Sequence, residues 1–215
     1  LPCRVIILAG RWHISERVFM AVLPIRLFPD PVLRTRADEV TEFDGALEKL
    51  VEDMFDTMRA DNGVGLAAPQ VGVSQRLFVF DCGDEQSGYV INPVWEPIGD
   101  EMQYGMEGCL SVPGVYGDVE RYNHVVVHGK DCHGNDVSYE GTELLARCIQ
   151  HESDHLDGIM FMKQQSAENR KLSMAEVRNA NWFGQSTLHP QGLHIRRLFI
   201  VPPFLCRRKD RHAAG

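Results

Sequence analysis

His151-Glu152-Ser153-Asp154-His155 places two imidazoles four residues apart, with a carboxylate directly after the first. On an α-helix, positions four apart differ by about 40° in azimuth, so both rings project from one face and can share one metal ion. Glu152 is then the adjacent carboxylate, placed to take a proton from water activated by that ion. A chain with nine histidines produces this pattern by chance in roughly a few sequences per hundred, so it needs independent support. The surroundings supply it. Leu144, Leu145, Ala146, Cys148, Ile149 and Leu156 make the segment apolar on nearly every side, and two histidines and an acid buried there require partners.

Two histidines are two ligands, whereas a hydrolytic metal site needs a third and one open position. Downstream, His155-x-x-Gly158 continues the frame of one class of zinc protease, but Phe161 stands where that class has its third histidine. Glu168 and Glu176 are further downstream candidates. Upstream, Cys109 sits among small residues at the end of a strand pattern, in Glu107-Gly-Cys-Leu-Ser111. As a thiolate it would complete a Cys/His/His site.

Three separated segments, Gly63-Val-Gly-Leu-Ala-Ala-Pro-Gln70, Glu107-Gly-Cys-Leu-Ser111 and Gln150-His-Glu-Ser-Asp-His-Leu-Asp-Gly158, resemble the three signature motifs of peptide deformylase, in that family's order and at compatible spacing. The likeness extends from about Met20 to near Trp182. It implies metal ligands Cys109, His151 and His155, with Glu152 as acid and base. It also assigns the Gln70 side-chain amide and the Leu110 backbone N–H to the developing oxyanion. Val64, Gly65 and Gly108 match positions whose backbone pairs with the substrate as an added strand, and glycines let another backbone approach closely. The implied metal is ferrous iron, replaceable by zinc, nickel or cobalt, and the implied substrates are N-formylmethionyl peptides.

Removal of a formyl group from an amine is amide hydrolysis, which needs a nucleophile, a polarised carbonyl and a proton for the leaving nitrogen. The side-chain pocket is expected to be apolar and to prefer formyl-Met over formyl-Asp peptides, because burying a carboxylate there is costly. Cys148, one turn before His151, either lines this pocket or packs as a buried thiol. Tyr116 is expected at the pocket rim, Arg121 as a partner of Glu107, and the Leu172/Met174 stripe in the core. His124, His128 and His133 read as structural or surface residues. An HExxH endopeptidase, a non-catalytic binder and a cysteine hydrolase built on Cys109 are the competing functions. Phe161 speaks against the first, and the presence of both Glu152 and Gln70 against the second. Loss of activity to a chelator would exclude the third.

The elements that must carry these residues are legible in outline. Asp44 opens a helix in which Leu47, Leu50, Val51, Met54, Phe55 and Met58 recur at spacings of three and four, ending near Asp61-Asn62-Gly63. Gly63 to Gln70 reads as a tight buried loop, since Pro69 interrupts a helix. Strand patterns follow at 76–81, 89–92, 94–98, 102–106, 123–128 and 136–139, the last two joined by the turn Asp131-Cys-His-Gly-Asn135. Helices are expected at 142–156, with Thr142 as candidate N-cap, and at about 167–179. A block of strands followed by helices specifies an α+β fold, mostly antiparallel β-sheets packed around the central HExxH helix.

Composition narrows the remaining classes. The chain has 215 residues, 44% hydrophobic and 24% charged, which suits a globular core and excludes disorder and collagen-like repetition. Its longest uncharged apolar stretches, such as Leu198 to Cys206, are about half the ~20 residues of a membrane span, so no membrane association is expected. Six cysteines without a C-x-x-C pair remove zinc ribbons and thioredoxin motifs and fit a reduced, cytoplasmic protein. The net charge of −8 is uneven: residues 1–19 carry +2 and residues 186–215 carry +5, leaving −15 for 20–185. Such an acidic body does not attract DNA. Residues 1–19 therefore read as a leader outside the fold, 20–185 as the catalytic domain, and 186–215 as a basic tail. Basic C-terminal extensions of some deformylases touch the ribosome. Here Pro190, Pro202, Pro203 and the lack of a helical period favour a disordered tail.

Overall fold

The computed structural model describes residues 21–83 and 86–184. The expected leader and basic tail lie outside the described residues. Asp44 caps α1 (Gly45–Ala60), its carboxylate accepting from the Ala46 and Leu47 amides at 3.0 Å. Those two N–H groups lie in the first turn, where no carbonyl four residues back belongs to the helix. Leu47, Val51, Met54 and Met58 turn inward from α1 and pack with Leu66, Leu77, Val79 and Ile91.

The Gly63–Gln70 run is more ordered than the loop its sequence suggests. Gly65–Ala67 forms β1, and Ala68–Val71 forms one 3-10 turn. β1 pairs antiparallel with β2 (Leu77–Asp81), Leu66 lying opposite Val79, so buried backbone groups find partners. The strands expected at 89–92 and 94–98 are one, β3 (Ser87–Pro97), whose register shifts between Ile91 and Val94. Asn92 takes a positive φ of 51° at this bulge, and its amide bonds both backbone groups of Val40 at 2.9 Å.

β4 (Met102–Cys109) and β5 (Val112–Tyr122) form a separate two-stranded sheet. No strand is expected from the sequence at Val112–Tyr122, where Pro113, Gly114 and Gly117 interrupt the pattern; a two-stranded hairpin tolerates them because each strand has an unpaired edge. β6 (His124–Lys130) and β7 (Asp136–Thr142) complete the larger sheet, ordered β1-β2-β3-β6-β7 and antiparallel throughout. The fold is α+β.

α2 (Glu143–Leu156) lies against both sheets. Leu145, Ala146, Cys148, Ile149 and Leu156 pack on Ala67, Phe78, Phe80, Val90, Val125 and Val127 of the larger sheet. Thr142 occupies the N-cap position, but its side chain makes no capping bond. α3 (Ala167–Asn179) buries Ser173 and Val177. Leu172 is 60% exposed, whereas half-buried Met174 packs against the core, so the expected stripe holds at Met174 and fails at Leu172. Residues 173 and 177 define the inward face, and Leu172 is rotated about 100° from Ser173. Among the described residues no helix is long and apolar enough to cross a membrane.

Candidate metal centre

Cys109 ends β4 where the β4–β5 register shifts between Gly108 and Cys109, a bulge of the kind that re-aims a side chain. The thiol points at α2, with Sγ 3.2 Å from His155 Nε2. One ligand atom from each of Cys109, His151 and His155 lies within 4.8 Å of the others. Ligands at about 2.3 Å (sulfur) and 2.0–2.1 Å (nitrogen) from a tetrahedral ion stand roughly 3.5 Å apart, so the donor set fits one ion.

Glu107 organises this cluster. Its Oε2 accepts from His151 Nδ1 at 2.9 Å, which makes Nε2 the nitrogen that could face an ion. Its Oε1 takes Arg121 Nε and Arg147 Nη1, each at 2.9 Å, and Arg121 Nη1 also reaches Asp154 Oδ2 at 2.7 Å. Two carboxylates and two guanidiniums thus balance in a buried site. Burial pushes the Glu107 pKa up, but hydrogen bonds from His151 and Arg121 prevail and hold it well below the usual carboxylate range. At His151, burial is likewise outweighed by the bonds to Cys109 and Glu107, and the pKa stands well above its ordinary value. His155 goes the other way, pushed well down by burial and by the charges of His151 and Arg121.

Glu152 is buried, its Oε2 has no hydrogen-bond partner among the described residues, and burial lifts its pKa to about 7. A carboxyl group poised there can both accept and return a proton near neutrality. Gln70 does reach the site. Its Oε1 accepts from the Ala67 amide at 2.8 Å, and this orients Nε2 toward Ser111 Oγ at 3.3 Å and Cys109 Sγ at 3.5 Å. Leu110 follows Cys109 at the hairpin turn and buries its side chain in the α1 core.

A small cavity of about 20 Å³ opens beside the cluster, lined by Val64, Gly108, Leu144, Arg147 and Cys148 together with Glu107, His151 and Glu152. Gly65 is required by space: a Cβ there would lie 2.7 Å from Cys148 Sγ and overlap the Glu152 carboxylate. Cys148 both lines the cavity and packs in the core, and a hydrogen bond with Cys82 together with burial pushes its thiol well up. Tyr116 lies opposite Gly108 in the hairpin, its ring 2.8 Å from where a Gly108 Cβ would stand. It is 37% exposed and covers Gly108 without lining the cavity.

The alternative third ligands fall away. Glu168 and Glu176 are exposed on α3, and Phe161 stacks on His151, centroids 6.2 Å apart. Arg121 meets Glu107 as its residue type suggested. The second arginine, Arg147, was not anticipated, although an arginine four residues before His151 on an otherwise apolar helix is a visible anomaly. His124 Nε2 lies 2.8 Å from Glu140 Oε1 and His133 Nδ1 3.3 Å from Glu48 Oε1, both away from the site.

A helix and a hairpin thus converge one cysteine and two imidazoles beside a buried carboxylate, a donor set that could hold a metal ion. Residues 22–171 match the family described as polypeptide deformylase. Peptide deformylase 1 of Corynebacterium efficiens is 52% identical over 169 residues, 77% of this chain and 100% of that protein. The peptide deformylase of Parafrankia sp. is 49% identical over 163 residues, 76% of this chain and 89% of its own length. Among solved structures, the peptide deformylase of Thermus thermophilus superposes with a TM-score of 0.69 at 42% identity, covering 74% of this chain and 94% of that one. The chain belongs to the peptide deformylase family.

Proposed function

We propose that Cys109, His151 and His155 hold a divalent metal ion, and that Glu152, Gln70 and the Leu110 N–H work beside it to remove the formyl group from N-formylmethionyl peptides, releasing formate. The observation that carries this reading is the convergence of the three ligand atoms within 4.8 Å, with buried Glu152 next to His151 and the Gln70 amide directed at Cys109. Ferrous iron is the ion in this reading, supported by the family likeness; zinc, nickel or cobalt suit the same donors.

When bound, the ion lowers the pKa of water and polarises the formyl carbonyl. Glu152 takes the proton from the attacking water and hands it to the amine nitrogen as the C–N bond breaks. Gln70 Nε2 and the Leu110 N–H donate to the formyl oxygen as it gains negative charge, each worth about 3–4 kcal/mol in comparable hydrolases. Backbone groups of Val64, Gly65 and Gly108 receive the peptide as an added strand, and its first side chain enters the cavity lined by Val64, Leu144 and Cys148. Residues 20–185 form the catalytic unit. Cytoplasmic placement is supported by the four free cysteines of the described residues, Cys82, Cys109, Cys132 and Cys148.

The test is formate release from a formyl-Met tripeptide by protein purified without oxygen, with metal content measured alongside. Formate release that a chelator abolishes is expected. Metal-replete protein that releases none overturns the reading.

A further inference from the structure

We infer that Cys82 and Cys148 are a peroxide-responsive dithiol: hydrogen peroxide joins them in a disulfide that ties the end of β2 to α2 and weakens substrate binding. The effect on turnover rests on the function proposed above, whereas the linkage itself does not. The two thiols converge from separate elements. Cys82 directly follows β2, two residues after Phe80, so strand alternation sends both side chains to the same face. That face packs on α2, where Phe80 and Cys148 share one core cluster and Cys82 lies against it. Asp81 N donates to Val64 O at 2.8 Å, and Cys148 Sγ donates to the same oxygen at 3.5 Å. One carbonyl thus receives the end of β2 and a side chain of α2, and a hydrogen bond links the two thiols. The other cysteines among the described residues lie elsewhere, Cys109 beside His155 and Cys132 in the α1 core.

Cys82 is half-buried and Cys148 buried, so an oxidant reaches Cys82 first. Its sulfur attacks one peroxide oxygen, the O–O bond breaks, and the departing hydroxide leaves with the thiol proton as water. Cys82 is then a sulfenic acid. The Cys148 sulfur attacks the Cys82 sulfur, the S–O bond breaks, and the second hydroxide leaves with the Cys148 proton. Two thiols have lost two electrons, the peroxide has gained them, and two waters have formed. The new S–S bond is about 2.05 Å long, so closing it draws Cys148 Sγ toward Cys82 and off the Val64 carbonyl. Val64 belongs to the backbone proposed to receive the peptide, so the loss of that hydrogen bond falls on substrate binding and not on the proton transfers.

The experiment treats the full, zinc-loaded chain with hydrogen peroxide and maps its proteolytic peptides without reduction. A peptide linking Cys82 to Cys148 is expected. KM for a formyl-Met tripeptide should rise at least about fivefold, with kcat changed less than about twofold, and a phosphine reductant should reverse both the linkage and the rise. Cys82→Ser should match the untreated chain and keep its KM under peroxide. Absence of the linked peptide overturns the proposal whatever the activity does. A linked peptide with unchanged KM overturns the effect on binding, and so does a loss shared by Cys82→Ser, which would belong to oxidation at Cys109. No formate from the untreated chain counts against the function proposed above, and the peptide map still decides the linkage.

Discussion

Glu107 accepts a hydrogen bond from His151 Nδ1 at 2.9 Å with one carboxylate oxygen, while its other oxygen receives Arg121 and Arg147. One acid on β4 thereby orients an imidazole on α2 and joins the Cys109 strand to the histidine helix. The geometry of the proposed ligands is held by residues that are not themselves proposed as ligands.

Glu107→Ala should weaken metal affinity about 10–100-fold, the usual effect of losing a histidine's hydrogen-bond partner. It also strands two buried guanidiniums, so stability should fall by about 3–5 kcal/mol. Metal titration and urea unfolding measure the two effects separately. Wild-type affinity in the folded variant would show that Glu107 does not orient His151.

Glu152→Ala should retain the metal and lose turnover by at least about two orders of magnitude, as general acid–base catalysis requires. Cys109→Ala should lose or weaken the metal itself. Metal content and formate release, measured on the same preparations, separate the roles. An empty site in Glu152→Ala would make that carboxylate a ligand and sink the proposed division.

Gln70→Ala removes a donor aimed at the formyl oxygen and should lower kcat about 10²–10³-fold. Because Gln70 Oε1 also satisfies the Ala67 amide, stability should drop by about 1–3 kcal/mol. Steady-state kinetics and thermal unfolding are the measurements, and an unchanged kcat would remove Gln70 from the reaction.

Iron-loaded protein should be active and lose activity in air, since Fe(II) and the Cys109 thiolate are both oxidisable. Zinc-loaded protein should be air-stable and slower. Activity assays before and after exposure to air decide this; equal rates and equal air stability for the two forms would refute the preference for iron.

A 20–185 fragment should fold and deformylate short peptides like the full chain. Ribosome co-sedimentation at low and moderate salt then tests residues 186–215, whose +5 charge permits phosphate contacts. No tail-dependent binding is expected. Salt-sensitive pelleting lost on truncation would reverse that expectation.

The sequence by itself determined whatever depends on neighbours along the chain. The i, i+4 spacing of His151 and His155 dictates a shared helix face, Asp44 followed by a period of three and four dictates α1, and Asp131 to Asn135 dictates a turn. The three motifs, in order, also carried the family. The tertiary structure alone decided which distant groups meet. Val112 to Tyr122 pairs as a strand despite Pro113 and two glycines because Met102 to Cys109 lies alongside it. Phe161, which could only be read as a missing ligand, became the ring stacked on His151. Arg147 stands out in the sequence as a charge on an apolar helix, but its partners, Glu107 and the Gly105 and Val119 carbonyls, lie on the hairpin. A helical period is written in consecutive residues, because each residue's backbone dihedrals fix the azimuth of the next. Contacts between a helix and a hairpin depend on strand register and close packing, which exist only once the chain has folded.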